Sequence, residues 1–128
     1  METICLDSDL LIDFLRNKKE AVSFILEHEN KSVLATTYIN LFELYRGAFK
    51  GKNLDEIKKI EAFSYKIEVL NLSRAACKKA GQVLAELEGK GFPIELRDLF
   101  IGCIAQTEGF NLKTNNKKHF ERIPGLKL

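Results

Sequence analysis

Net charge, proline, cysteine and long apolar runs are all scarce in this chain, and each scarcity excludes something. Its 20 Lys plus Arg are nearly cancelled by 18 Asp plus Glu, leaving +2 at pH 7, so no global field draws it onto nucleic acid. RNA or DNA binding must therefore come from local clusters such as Lys58-Lys59, Lys78-Lys79 or Lys117-Lys118, and most such pairs are solvated helix faces. The three cysteines, Cys5, Cys77 and Cys103, are odd in number, widely spaced and without a Cys-x-x-Cys pair, which excludes zinc-ligand spacing. Their apolar neighbours predict reduced, buried thiols in a cytoplasmic protein. No apolar stretch is long enough to cross a bilayer, and the short run after Glu2 does not make a signal peptide, so no membrane partner is expected. With two prolines, 45% hydrophobic and 30% charged residues over 128 positions, the composition is that of one soluble globular domain spanning 1–128.

What is present is an alternation of short strands and amphipathic helices, without internal repeats or low-complexity segments. Glu2-Thr3-Ile4-Cys5-Leu6 is too brief for a helix, carries a β-branched residue and stops at Asp7, after which Leu10, Leu11, Phe14 and Leu15 recur at helical spacing. A second helix follows, with Ala21, Val22, Ile25 and Leu26 on one face, and then Ser32-Val33-Leu34-Ala35-Thr36 as a buried strand. This strand, helix, strand order predicts a parallel pair with a right-handed crossover. Thr36 or Thr37 can cap the next helix, whose apolar side is Leu41, Leu44, Tyr45, Ala48 and Phe49 and whose opposite, polar stripe is Asn40, Glu43, Arg46, Gly47 and Lys50.

Gly51-Lys52-Asn53 ends that helix, and Leu54, Ile57, Ile60 and Phe63 mark another. Lys66 to Leu70 alternates as a strand. Ser73 caps a long helix with Ala76, Ala80, Val83, Leu84 and Leu87 on its core face. Gly89-Lys90-Gly91-Phe92-Pro93 is a loop, Leu96 to Thr107 a helix apolar on most sides, and Asn111 to Thr114 a last strand. Together these predict an α/β fold with a central, mainly parallel sheet.

Three acids lie where a carboxylate is awkward for structure: Asp7 at a strand end, Glu43 early in a mostly apolar helix, and Asp98 beside Leu99-Phe100-Ile101. In open parallel sheets, ligands bind outside the carboxyl ends of the strands, where the following helices point their positive N-termini. Carboxylates gathered there repel one another unless a cation sits between them, and an all-oxygen set suits Mg²⁺ or Mn²⁺ rather than zinc. Each acid also has a plain structural reading. Asp7 can be an N-cap, Glu43 a solvated helix residue, and Asp98 a first-turn acid favoured by the helix dipole.

The chain resembles PIN-domain ribonucleases, specifically VapC-type toxins of VapBC toxin-antitoxin pairs. The resemblance is carried by Leu6-Asp7-Ser8-Asp9-Leu10-Leu11-Ile12, Glu43-Leu44-Tyr45-Arg46-Gly47, Arg97-Asp98-Leu99-Phe100-Ile101-Gly102-Cys103-Ile104-Ala105 and the run from Lys113-Thr114-Asn115-Asn116 to Phe120-Glu121-Arg122-Ile123-Pro124-Gly125-Leu126. These pieces appear in the family's order over nearly the whole length. The likeness implies a three-layer α/β/α domain with four to five strands and a Mg²⁺- or Mn²⁺-dependent endoribonuclease, the toxin of a type II pair. It implies that Asp7, Glu43 and Asp98 hold the metal, with Ser8 and Thr114 as supporting hydroxyls. It further implies a homodimer and a cognate VapB-type antitoxin.

Many relatives carry a fourth acid near the last strand, where this chain has Asn116 and His119, so Asn116 joins the candidate catalytic residues and one firmly held ion is expected over two. Arg46, Arg97 and Lys117 are the candidate RNA-backbone contacts. Two other readings remain open. Asp7-x-Asp9 after an apolar strand also resembles haloacid dehalogenase-type phosphatases, with Asp7 as phosphoryl acceptor and Asp9 as general acid. A catalytically weak PIN module that only binds RNA would fit the missing fourth acid.

Overall fold

The computed structural model describes residues 1–128. The chain runs β1 (Glu2–Leu6), α1 (Ser8–Leu15), α2 (Lys19–His28), β2 (Ser32–Thr37), α3 (Tyr38–Lys50), α4 (Leu54–Ser64), β3 (Glu68–Leu70), α5 (Arg74–Gly89), α6 (Leu96–Thr107), β4 (Asn111–Lys113) and a 3-10 turn at Lys117–His119. The four strands form one sheet in the order β3-β2-β1-β4, with every pair parallel. Helices cover both faces, giving the expected three layers at the lower expected strand number.

Alternation along β1 divides the core. Ile4 and Leu6 join Leu10, Leu11, Ile25, Leu44, Ile57 and Ile60 beneath α1 to α4. Cys5 instead joins Ala35, Leu70, Leu112 and the inner faces of α5 and α6. A strand buried on both faces reads as a continuous apolar run, which is why β1 has no polar side in its second half.

The order 3-2-1-4 means the chain winds from β1 outward through β2 to β3, then returns to add β4 on the other side of β1. That reversal makes the gap between the carboxyl ends of β1 and β4 a switch point, where neighbouring connections part and leave a crevice. Asp7 continues β1 into this gap, and its N–H still donates to Lys113 O of β4 at 3.0 Å.

The last residues close the free side of β4. Leu112 N–H donates to Lys127 O at 2.8 Å, and Phe120 and Ile123 are buried against α6. Gly102 permits this approach, because a Cβ there would overlap Ile123 Cδ1 and crowd Leu126 and Phe120. The Phe-Glu-Arg-Ile-Pro-Gly-Leu ending is therefore a structural strap over a helix that has to be small at that point.

Several sequence expectations need correction. Cys77 is exposed, unlike Cys5 and Cys103. The inward stripe of α5 is Ala76, Ala80, Val83 and Leu87, and a residue one step from Ala76 is rotated by about 100° off it. Leu26, Phe49 and Leu54 are exposed, not part of the core faces assigned to them, since α2 buries only Ala21 and Ile25 and α3 only Asn40, Leu44 and Ala48. Asn40 was expected on the polar outer stripe and is instead fully buried. The third strand starts at Glu68 and not at Lys66, whose N–H closes a turn onto Phe63 O at 2.9 Å.

Candidate active site

Asp7 is the centre of the crevice. It caps α1 through Ser8 N–H, which donates to Oδ1 at 2.8 Å, so the structural role available to it is in fact filled. Capping uses only part of the carboxylate. Oδ1 also accepts from Asn40 Nδ2 at 2.9 Å and from Arg97 at 3.1 Å, and Oδ2 accepts from Thr114 Oγ1 at 2.7 Å. Four elements thus fix one side chain: α1, α3, α6 and the end of β4. Thr114 stands across the switch point from Asp7 and is itself held by Asn116 N–H at 3.0 Å.

Asn40 reaches Asp7 because Thr37 starts α3 with reciprocal capping. Thr37 Oγ1 accepts from Asn40 N–H at 3.1 Å, while Asn40 Oδ1 accepts from Thr37 N–H at 3.3 Å and from its hydroxyl at 2.7 Å. This locks the amide so that Nδ2 faces Asp7 Oδ1 and Ser8 Oγ, both at 2.9 Å. One turn along α3, Glu43 accepts from Ser8 Oγ at 2.8 Å. Ser8 therefore bridges Glu43 and Asn40, and Thr36 Oγ1 ties the two strands by donating to Leu6 O at 2.8 Å.

The three predicted acids do come together, and the group they share is Arg97. Its Nε pairs with Glu43, one terminal nitrogen with Asp98, and the other with Asp7. Asp7 is 1% exposed and Asp98 3%, and both lie against the Arg97 guanidinium. Burial pushes the Asp98 carboxyl above its ordinary value, with Arg97 and His119 pulling it part of the way back. The surrounding acids hold the Arg97 guanidinium charged despite its own partial burial. Every buried side-chain nitrogen and oxygen has a hydrogen-bond partner.

The remaining predicted residues lie at the rim. Asn116 Nδ2 donates to Asp9 Oδ2 at 3.2 Å, where Asn115 N–H also donates at 2.9 Å, so Asn116 touches Asp9 and none of the three acids. Burial and the nearby charge of Asp7 raise the Asp9 carboxyl above its ordinary value. His119 Nδ1 lies 3.5 Å from Asp98 Oδ2. Arg46 and Lys117 are exposed, and Arg97 faces inward. A cleft of about 590 Å³ opens beside Asp98, lined by Pro93, Glu95, Lys118, His119 and Arg122 among others. Lys118 and Arg122 line it together with Glu95, Asp98 and Glu121, so the cleft carries charges of both signs.

The donor set is chemically suited to a hard cation, being carboxylates without thiols. Its present spacing is set by the guanidinium, and no three acidic, His or Cys ligands converge on one metal-sized point. Neighbouring ligands of an octahedral Mg²⁺, bound at about 2.1 Å, lie only about 3 Å apart. The acids fit the ion in kind and in location, and would have to close in around it once the guanidinium withdrew.

Asn40 and Asp9 were the site residues that sequence reasoning missed for this chemistry. Asn40 had a usable signal in Thr37-x-x-Asn40, the spacing of a reciprocal cap at a strand end, and Asp9 in its place two residues after Asp7.

Comparison with known proteins agrees with the fold. The PIN domain family model matches residues 4–126. The tRNA(fMet)-specific endonuclease VapC of Salmonella typhimurium is 35% identical over 126 residues, covering 96% of this chain and 93% of the relative. Among solved structures, VapBC2 of Rickettsia felis bound to a DNA fragment from its promoter superposes with a TM-score of 0.88 at 28% identity, covering 98% of this chain and 96% of that one. DNA-bound VapBC of Salmonella typhimurium superposes with a TM-score of 0.84 at 32% identity, covering 99% and 96%. The family match favours a nuclease over the phosphatase reading of Asp7 and Asp9. An all-parallel sheet with its acids gathered at the switch point and a family match over nearly its full length make this chain a PIN domain of the VapC ribonuclease family.

Proposed function

We propose that this chain is the toxin of a VapBC-type pair, an endoribonuclease that hydrolyses RNA phosphodiester bonds with Mg²⁺ or Mn²⁺ and is restrained by a VapB-type antitoxin. The observation that carries this reading is the meeting of Asp7, Glu43 and Asp98, from three separate elements, around a single cationic group. Asp7, Asp98 and Glu43 would hold the ion. A divalent ion bound there lowers the pKa of water and neutralises charge developing on the phosphoryl oxygens.

The chain's own residues supply the rest. Thr114, Asn40 and Ser8 N–H fix the orientation of the Asp7 carboxylate, so that it need not reorganise as charge develops. Ser8 Oγ sets the rotamer of Glu43. Lys118 and Arg122 at the cleft, with the exposed Lys117 and Arg46, are the basic side chains that a phosphate backbone would meet. Attack by water predicts a 5′-phosphate and a 3′-hydroxyl, with no need for the RNA 2′-hydroxyl as nucleophile.

The decisive experiment is cleavage of RNA by the purified chain with Mn²⁺, with EDTA, and with Asp7→Asn and Asp98→Asn. Loss of cleavage in EDTA and in both variants, with 5′-phosphate ends in the wild type, supports the proposal. Persistent cleavage in EDTA sinks it. The inward position of Arg97 gives one specific reason to keep a metal-free RNA-binding module as the second reading. RNA affinity without cleavage at any Mn²⁺ concentration would select that reading.

A further inference from the structure

Arg97 occupies the place where a cation is needed. Its guanidinium uses Nε and both terminal nitrogens on Glu43, Asp98 and Asp7, carboxylates that belong to α3, α6 and the end of β1. Nothing else in the crevice carries a positive charge at that point, since the only other basic group against these acids is His119, on the far oxygen of Asp98.

This placement runs against local preference. Arg97 sits in the first turn of α6, where the helix dipole disfavours a cation, so the carboxylates are what hold its head inward. The side chain is nevertheless 30% exposed. A long, unbranched stem with one solvent-facing side can swing out by rotamer change alone, without moving the helix that carries Asp98.

We infer that Arg97 is a built-in competitor of the divalent cation: its guanidinium holds the acids in the metal-free protein, and an ion enters only as Arg97 leaves. The inference rests on the reading of this crevice as a metal site. Both cations would take the same place between the same three carboxylates, so the two occupied states exclude each other. The apparent affinity for metal is then the intrinsic affinity reduced by the fraction of molecules with Arg97 withdrawn. An expelled guanidinium at the crevice mouth also becomes available to a phosphate, a role that its inward position denies it.

The test is calorimetric titration of the full chain with Mn²⁺ alone, without RNA, for wild type, Arg97→Gln and the double variant Arg97→Gln/Asp98→Asn. Arg97→Gln should bind Mn²⁺ at least about tenfold more tightly than wild type, because the competing state is removed. The double variant should lose that gain, which locates it to this site. Equal or weaker binding by Arg97→Gln overturns the inference while leaving the metal site itself standing. Failure of wild type and Arg97→Gln alike to bind millimolar Mn²⁺ overturns both.

A second measurement needs no variant. In ¹⁵N-labelled wild type, the Arg97 Nε–H signal should be shifted and slow to exchange in EDTA, and should move to a solvent-exposed position as Mg²⁺ is added. A signal that stays in place while Mg²⁺ saturates the carboxylates overturns the inference.

Discussion

Asn40→Ala should destabilise this domain far more than its polar side chain suggests, because Asn40 joins the fold to the site. The side chain is fully buried. It donates to Asp7 Oδ1 and Ser8 Oγ, both at 2.9 Å, and accepts from Thr37 N–H at 3.3 Å and the Thr37 hydroxyl at 2.7 Å. A neutral hydrogen bond contributes about 1 kcal/mol and one to an ionised group about 1.5 to 3 kcal/mol. The terms are not additive, since Ser8 retains Glu43 and Asp7 retains Thr114, so the expected loss is about 3 kcal/mol. For a domain of this size that lowers the melting temperature by roughly 10 °C.

Urea unfolding in EDTA measures it directly, with an unchanged m-value showing that the native state is still compact. A loss under about 1 kcal/mol would refute the reasoning. Asn40→Asp separates shape from charge, because it keeps an acceptor for Thr37 and sets a second carboxylate against Asp7. Two adjacent carboxylates raise their shared folded pKa above the unfolded value, so the penalty is full at neutral pH and is relieved as pH falls through the raised value. A deficit that ignored pH would count against that electrostatic account.

Other perturbations follow from the same contacts. Thr114→Val removes the hydroxyl that donates to Asp7 Oδ2 and accepts from Asn116 N–H, and should weaken Mn²⁺ binding by about tenfold in calorimetry; an unchanged affinity would clear Thr114 of any orienting role. Gly102→Ala should cost about 1 to 3 kcal/mol, because its methyl group collides with buried Ile123 and pushes the C-terminal strap off α6. Hydrogen exchange that left the Leu112 amide fully protected in that variant would argue against the strap. A thiol reagent should label Cys77 rapidly in the native chain and the other two only on unfolding, since Cys5 and Cys103 are buried and burial pushes the Cys103 thiol up to about 11. Two fast-reacting thiols would contradict this.

The fold was legible because both periodicities were clean. A five-residue strand, apolar over its last three residues and running into Asp7, and helices punctuated by Ser73, Gly51 and Pro93, leave little choice of architecture. Asp7, Glu43 and Asp98 were legible as acids in uncomfortable places. Asn40 was not, because sorting α3 into an apolar and a polar stripe sends every amide outward, and the buried polar wall of a site is invisible to that sorting. Phe49 and Leu26 failed the same sorting in the opposite sense, being apolar residues on helix faces that no second element covers. For Arg97, sequence position placed it beside Asp98 but could not tell a side chain reaching outward to phosphate from one folded back onto three carboxylates.

That direction is decided by local charge and not by the net charge of the chain. A total of +2 spread over the surface cannot stabilise Asp7 and Asp98, because exposed charges beyond about 8 Å are largely screened at physiological salt. Two carboxylates that are almost completely buried, with a third beside them, need a positive group in contact whether or not metal is present. A site that depended on metal alone would be least stable during folding, before any ion had bound. With Arg97 in the first turn of α6, the same helix delivers Asp98 and a compensating charge together. Under the metal-dependent function proposed above, the consequence would be a trade of metal affinity for an intact metal-free protein, with Arg97 as the inferred competitor of the ion.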